Sequence, residues 1–503
     1  MRKLAIAVIF IAFIGVIGCK KSNNNKGNNQ TNTTAKIDSI GVTTGAAEGL
    51  NYTGANTSDT YATTDFPTTI SIVFTPNGAT ITPATTSGVA ITQSDGDVTV
   101  TATATGVAYT VSGSTSNGSL KIYSDKKFLV TLNGVDLINL DGPALNIQSK
   151  KRAFIVVADG TTNNLSDGAT YASSTEDQKG SIFAEGQLVF SGNGTLKVSG
   201  NYKHGICSDD YIRVVSGNIN ILKSKSDGIH VNNAFIADGG NITINSGTDG
   251  IEAEEGNVIV NNGTFNITSV GKGIRTSYEG TDGSIARYIV INGGNINVKS
   301  TADEGISSKG SLTINKGNIS SSASDDAFKA DSAIYINSGY VYASSTANDG
   351  MDSNGNFDLN GGTVVAIGSP VTESGIDCDD RQFKITGGQL IATGGSTSAV
   401  STSSTVNSVI LGTGTAQLIH IESASGAEAL TFQAPVAYAT LVFASAKLKS
   451  NTVYNVYTGG SVVSGISFKG LFTGGTYTKG TKLATTFTTS SVVTKVGGII
   501  TTN

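Results

Sequence analysis

The sequence predicts an all-β chain folded as a right-handed parallel β-helix, with three short strands per ~22-residue coil and β-rich caps at both ends. Three observations predict it. A short phrase returns at nearly constant spacing: His204-Gly205-Ile206, Asp227-Gly228-Ile229, Asp249-Gly250-Ile251, Lys272-Gly273-Ile274, Glu304-Gly305-Ile306, Asp326-Ala327-Phe328, Asp349-Gly350-Met351 and Ser374-Gly375-Ile376. Successive copies are 23, 22, 23, 32, 22, 23 and 25 residues apart, a period that belongs to stacked repeats. Each period also holds three short runs divided by turns, as in Gly228-Ile229-His230-Val231, Ala234-Phe235-Ile236-Ala237 and, after Gly239-Gly240, Asn241-Ile242-Thr243-Ile244. Finally, 63 Gly, 6 Pro and abundant Thr, Ser, Asn and Val suit strands and tight turns. Parallel crossovers are almost always right-handed, which sets the expected hand.

Along the chain, residues 1–18 read as a signal peptide. Arg2 and Lys3 precede an apolar run, 4–17, too short to span a bilayer comfortably. Val16-Ile17-Gly18-Cys19 resembles a bacterial lipobox, so Cys19 is the expected lipidation site. Residues 19–36 then form a lipidated, disordered tether, too polar to fold alone. Lys20 stands where an inner-membrane retention Asp would be, which points to the outer membrane or cell surface, with membrane contact through the lipid. Residues 37–117 read as an N-terminal β-cap, 118–408 as the β-helix and 409–503 as a C-terminal β-region. About ten coils would make a rod ~50 Å long, expected to be monomeric. Two insertions interrupt it. Residues 159–179 are too polar for burial, and residues 278–287 should overhang the face of the first strand.

Strand alternation sorts the first strand by face. Ile206, Ile229, Ile251, Ile274, Ile306, Phe328, Met351 and Ile376 point inward, as do the smaller Ser208, Val231, Ala253, Thr276, Ser308, Ala330, Ser353 and Cys378. Outward stand Cys207, His230, Glu252, Arg275, Ser307, Lys329, Asp352 and Asp377, then Asp209, Glu254 and Asp379. Asp227, Asp249, Glu304, Asp326 and Asp349 precede the Gly, with Asp303 and Asp325 one earlier. Stacked carboxylates repel, and a hard cation relieves that. Calcium takes oxygen ligands with flexible geometry, so it is the expected cofactor. Two clusters fit: Asp209, Asp227, Asp249, Glu252 and Glu254, and Asp326, Asp349, Asp352, Asp377 and Asp379, with Asp303 and Asp325 between them. A plain solvated acidic edge is the simpler alternative.

Cys207 and Cys378 lie seven rungs apart, ~34 Å, so both should be free thiols. Asn218, Asn241, Asn295 and Asn318 share a turn column and should form an asparagine ladder. The three His, at 204, 230 and 420, have no spacing that suits zinc. A net charge of −5 disfavours a nucleic-acid partner.

These residues resemble a bacterial carbohydrate-binding β-helix family related to pectate lyases. The Asp-Gly-Ile coils with their Asn-Gly-Gly-like turns carry the resemblance, together with Leu132-Asn133-Gly134-Val135, Asp141-Gly142-Pro143-Ala144, Asp159-Gly160-Thr161-Thr162-Asn163, Tyr202-Lys203-His204-Gly205-Ile206 and Tyr454-Asn455-Val456-Tyr457-Thr458-Gly459-Gly460. It implies calcium on the acidic side and binding of acid-sugar or cellulose-type plant polysaccharide, polygalacturonate above all, without establishing catalysis. The expected function is therefore a surface-anchored, non-catalytic glycan binder. A pectate-lyase-like enzyme would need a base, for which Arg275 and Lys329 are the candidates. A structural rod or adhesin is the third reading. Ser226-Asp227-Gly228-Ile229 and Asp379-Asp380 faintly resemble polygalacturonase motifs, but that family's Gly-His-Gly and Arg-Ile-Lys motifs are absent.

Overall fold

A computed structural model describes residues 33–38, 42–379 and 381–501. The expected signal peptide, Cys19 and most of the tether lie outside them. The repeated phrase seeds a 13-stranded sheet that runs from Val89–Ser94 to Ile376–Cys378 and is parallel after its first hairpin. A second column runs through Ala153–Val157, Tyr211–Val214 and Ala333–Ile336, and a third through Asn218–Ser224, Asn241–Ser246 and Tyr340–Ser345. The coils form a parallel β-helix, with one core along the axis.

The register is the predicted one: Ile206 pairs with Ile229, Ile229 with Ile251, and Ile251 with Ile274. All the predicted inward residues are buried. Ile274 lies between Ile251 and Ile306 with no exposed surface. Its truncation to Ala should cost about 2–5 kcal/mol, read as a fall in the urea midpoint.

The Gly of the phrase is there for space. A Cβ on Gly228 would meet Ile244 Cγ2 at 2.3 Å, and one on Gly250 would meet Ile267 Cγ2 at 2.4 Å. At Ala327, which has the Cβ, the equivalent position of the third strand is Ala343. The turn before the third strand needs Gly for another reason. Gly217, Gly240, Gly263, Gly294 and Gly317 all have positive φ, between 85 and 123°.

The boundaries differ from expectation. The coils start earlier than residue 118, because Asp97–Ala102 and Val107–Thr115 already pair in parallel with the next coil. Thirteen strands in the first sheet exceed the ten coils expected. Hairpins at Thr68–Thr75/Gly78–Thr82 and Val89–Ser94/Asp97–Ala102 cap the first coils. At the far end Thr440–Ser445 pairs antiparallel with Gln389–Gly394, which ends the parallel stacking. Beyond it lies a seven-stranded sheet. Its edge strand Thr34–Ile37 pairs with Leu471–Thr478, so the last residues assigned to the tether are strand. Ala35 and Ile37 are apolar alternates that pack on Leu418 and Tyr477.

Residues 42–66 do not cap the rod. They form a strap along its flank, with two 3-10 turns, Thr57–Asp59 and Thr63–Asp65. It runs from Thr43, whose carbonyl accepts from Gly388 N at 2.7 Å, back to Asp59 beside Arg152. A ladder of Asn261, Asn292, Asn315, Asn337 and Asn360 holds it. Each Nδ2 from Asn292 to Asn360 donates to the previous Oδ1 at 2.8–3.1 Å. The second N–H of four of these amides donates to the strap carbonyls of Thr53, Tyr52, Leu50 and Glu48 at 2.8–2.9 Å. In the predicted column Asn241 does bond Asn218, at 2.8 Å. The long ladder is the turn column after the second strand.

Candidate functional site

The outward face of the first sheet carries a cleft of about 1020 Å³ between the two insertions. Lys179 and Lys203 stand at one end, Tyr278 and Glu279 at the other, with Asp227, Asp249, Glu252 and Arg275 between them. The first insertion lies down on the sheet. Glu176 meets Lys121 and Tyr123, and the Asp177 carbonyl accepts from Gln148. Outward-facing Phe183 and Cys207 have no exposed surface. Cys207 and Cys378 are both buried free thiols.

The carboxylates before the Gly are not a solvated edge. Asp227, Asp249, Glu304, Asp326 and Asp349 are all less than 8% exposed. They sit at the corner between third and first strands, where tight turns enclose them. Buried carboxylates need partners, and the chain supplies several. Arg275 Nη1 is 3.1 Å from Asp249, and Nη2 is 3.3 Å from Glu252. Lys272 pairs with Glu304 and with Asp303 at 3.0 Å. Lys329 Nζ lies 3.0 Å from Asp326 and 2.5 Å from Asp352. Lys179 takes Asp209 at 2.9 Å. Asp325 accepts from Asn348 at 2.5 Å, and Asp377 from the Ser398 hydroxyl at 2.7 Å. Asp379 stands at the last coil, its backbone N–H on the Ser353 carbonyl.

Among the described residues four groups bring His, Asp or Glu ligand atoms within 4.8 Å of one another: His204-Asp227-His230, Asp227-Asp249-Glu252, Asp303-Glu304-Asp325 and Asp326-Asp349-Asp352. Asp209 falls outside all four, and so do Glu254, Asp377 and Asp379. Glu304, His204 and His230 belong to the groups but not to the predicted ligand set. His204 was hidden by linear spacing: one coil brings it directly beneath Asp227, 23 residues on.

Burial and neighbouring acids set the electrostatics. Burial, with Asp326, Asp377 and Asp352 nearby, pushes the Asp349 carboxyl up to about 8, against the Ser374 N–H that it accepts. Asp326 rises to about 7 through burial, although Lys329 opposes it. Asp249 rises to about 6, burial outweighing Arg275. Burial would raise Asp227 too, but His204, His230 and the Thr248 hydroxyl hold it far below the usual carboxylate range. His230 goes up to about 9, since Asp227 and Glu252 overcome its burial. Asp352 and Asp326 raise the Lys329 ammonium above its ordinary range despite burial, as its two ion pairs require.

A family model described as carbohydrate-binding domain-containing protein matches residues 94–346 and 286–432. A curated carbohydrate-binding domain-containing protein of Acetivibrio thermocellus (strain ATCC 27405) is 30% identical over 118 residues, 22% of this chain and 41% of that protein. The chain thus spans less than half the length of that relative. A solved structure of the polysaccharide lyase-like protein from C. thermocellum, a gadolinium derivative, overlaps 63% of this chain and 94% of its own at 19% identity and a TM-score of 0.36. The family match covers the coils and the whole cleft, so the chain belongs to the carbohydrate-binding domain-containing protein family.

Proposed function

We propose that the protein is a surface-anchored, calcium-dependent binder of acidic, polygalacturonate-like polysaccharide that does not turn its ligand over. Family membership supports a polysaccharide partner. The observation that carries the acidic reading is the cleft, where Arg275, Lys179 and Lys203 stand beside carboxylates on one open face. Guanidinium and ammonium groups recognise sugar carboxylates by charge-assisted hydrogen bonds. No Trp exists to stack on neutral sugar rings.

Calcium fits the far cluster best. Asp326, Asp349 and Asp352 form a buried all-oxygen donor set, and Asp377 stacks on Asp352 in the next coil. Lys329 already serves Asp326 and one oxygen of Asp352, Oδ2, so Asp349 and the other Asp352 oxygen would hold the ion. Calcium would supply positive charge to which a uronate carboxylate can bind. Anchoring through lipid on Cys19 and a monomeric state complete the proposal. Palmitate labelling that survives Cys19→Ser would overturn the anchor.

The test is retention of the protein by polygalacturonate in affinity gels, with and without chelator. Calcium-dependent retention without unsaturated product is expected, and Arg275→Ala should weaken it by about 10- to 100-fold. Appearance of the ultraviolet-absorbing unsaturated product would establish a lyase instead. Equal retention with chelator would remove calcium from the reading.

A further inference from the structure

We propose that His204, Asp227 and His230 form a second metal site, selective for a borderline divalent transition ion of the zinc, cobalt or nickel class. The site is a product of the coil register. His204 pairs with the position of Asp227 one coil on, because Ile206 faces Ile229. His230 lies three residues after Asp227 on the same coil. Asp227 Oδ2 is 3.0 Å from His204 Nδ1 and 3.1 Å from His230 Nδ1. An ion with ~2.1 Å bonds separates neighbouring ligands by ~3.0–3.4 Å, so Asp227 Oδ2 already stands at ligand spacing from both nitrogens, and the three residues bring their ligand atoms within 4.8 Å of one another.

The surroundings are those of a ligand set. The other Asp227 oxygen, Oδ1, is engaged by the Thr248 hydroxyl and by Asp249 N at 3.1 Å, which leaves Oδ2 for the imidazoles. His230 Nε2 is 3.2 Å from Glu254. A carboxylate on the far nitrogen fixes the tautomer that presents Nδ1 to a metal. Glu252 Oε2, 3.1 Å from His230 Nδ1, is placed to complete the set.

His204 is the independent observation. Its ring is 1% exposed and stacks on His230 with centroids 4.4 Å apart. Neither of its nitrogens makes a hydrogen bond, since the short contact with Asp227 is out of line for one. A buried imidazole that makes no hydrogen bond is costly, and an ion on Nδ1 would satisfy that nitrogen while keeping Asp227 beside it. Two imidazoles favour a borderline ion over calcium, so this site is chemically distinct from the all-oxygen cluster at Asp349. It also stands independently of the glycan reading.

The experiment uses untagged protein stripped with chelator, then titrated with zinc by calorimetry and with cobalt(II) by visible absorption. The expected result is one zinc equivalent at micromolar affinity or tighter. Cobalt should give a d–d spectrum that millimolar calcium does not displace and zinc does. His204→Gln and His230→Gln should each weaken zinc by at least ~100-fold, while Asp349→Asn leaves it unchanged. If a His variant does not fold, Asp227→Asn and the wild-type calcium competition decide. Displacement of cobalt by calcium, no saturable zinc binding, or wild-type affinity in a folded His204→Gln protein would each overturn the site and leave an imidazolium–carboxylate ion pair.

Discussion

Replacing Asp59 with Ala should destabilise the protein by about 3–5 kcal/mol, the cost of orphaning a buried charge. Asp59, with its side chain 3% exposed, is the point where the strap locks onto the rod. One oxygen takes Arg152 Nε at 2.8 Å and the Tyr211 hydroxyl, and the other lies 3.3 Å from Arg213 Nη1. Arg213 also donates to the Gly54 carbonyl at 2.6 Å and grips Asp238 through two bonds. Loss of the carboxylate leaves Arg152 without its ion partner and Arg213 with Asp238 alone. The rest of the strap is held mainly by single amide bonds worth about 1 kcal/mol each. It should therefore peel from this end before the coils melt. The expected signature is early protease cleavage within residues 42–66, together with faster amide exchange at Leu50 and Glu48. Unchanged protection of the strap in Asp59→Ala would show that the asparagine ladder and the Glu48–Lys384 pair hold it without Asp59.

At pH 8 and above without metal, Asp349→Asn should raise the melting temperature, by roughly 3–5 °C in a chain of this size. Asp349 is a buried acid whose folded-state value, about 8, is above that of an unfolded Asp. The folded form then binds more protons than the unfolded form between about pH 4 and 8. The stability tied to its protonated form is complete below the unfolded value and lost as pH rises through about 8. Asn removes that loss, and its Oδ1 can still accept the Ser374 N–H that Asp349 accepts. The variant's stability profile should flatten across this window. Calcium should mimic the mutation in the wild type, stabilising it more at pH 8 than at pH 5, and should do little in the variant. A wild-type melting temperature indifferent to calcium at pH 8 would remove Asp349 from the calcium proposal.

The outward column was legible because a strand's two-residue alternation is strict. His230, Glu252, Arg275 and Lys329 all sit on the face assigned to them, and their coil-to-coil neighbours are the predicted ones. Burial of the acids before the Gly was not legible. Those residues lie at a corner outside the strand, where alternation says nothing and the turn's path decides exposure. Arg275 and Lys329 stand out in the sequence, yet the pairing of these cations depends on rotamers of long side chains that span neighbouring coils. Lys329 was weighed as a base, but between Asp326 and Asp352 it is a counter-ion.

The sequence by itself determined the coil, its register and the two faces of its first strand. Those follow from local periodicity, repeated often enough that no other stacking buries every Ile. Only the tertiary structure decided the strap, the joining of Thr34–Ile37 to the C-terminal sheet, and the meeting of His204 with His230 on Asp227. The strap and the joined strand depend on contacts hundreds of residues apart, several of them made by backbone atoms that any residue carries. The histidine pair depends on a coil turning 23 positions of sequence into one step between neighbouring strands.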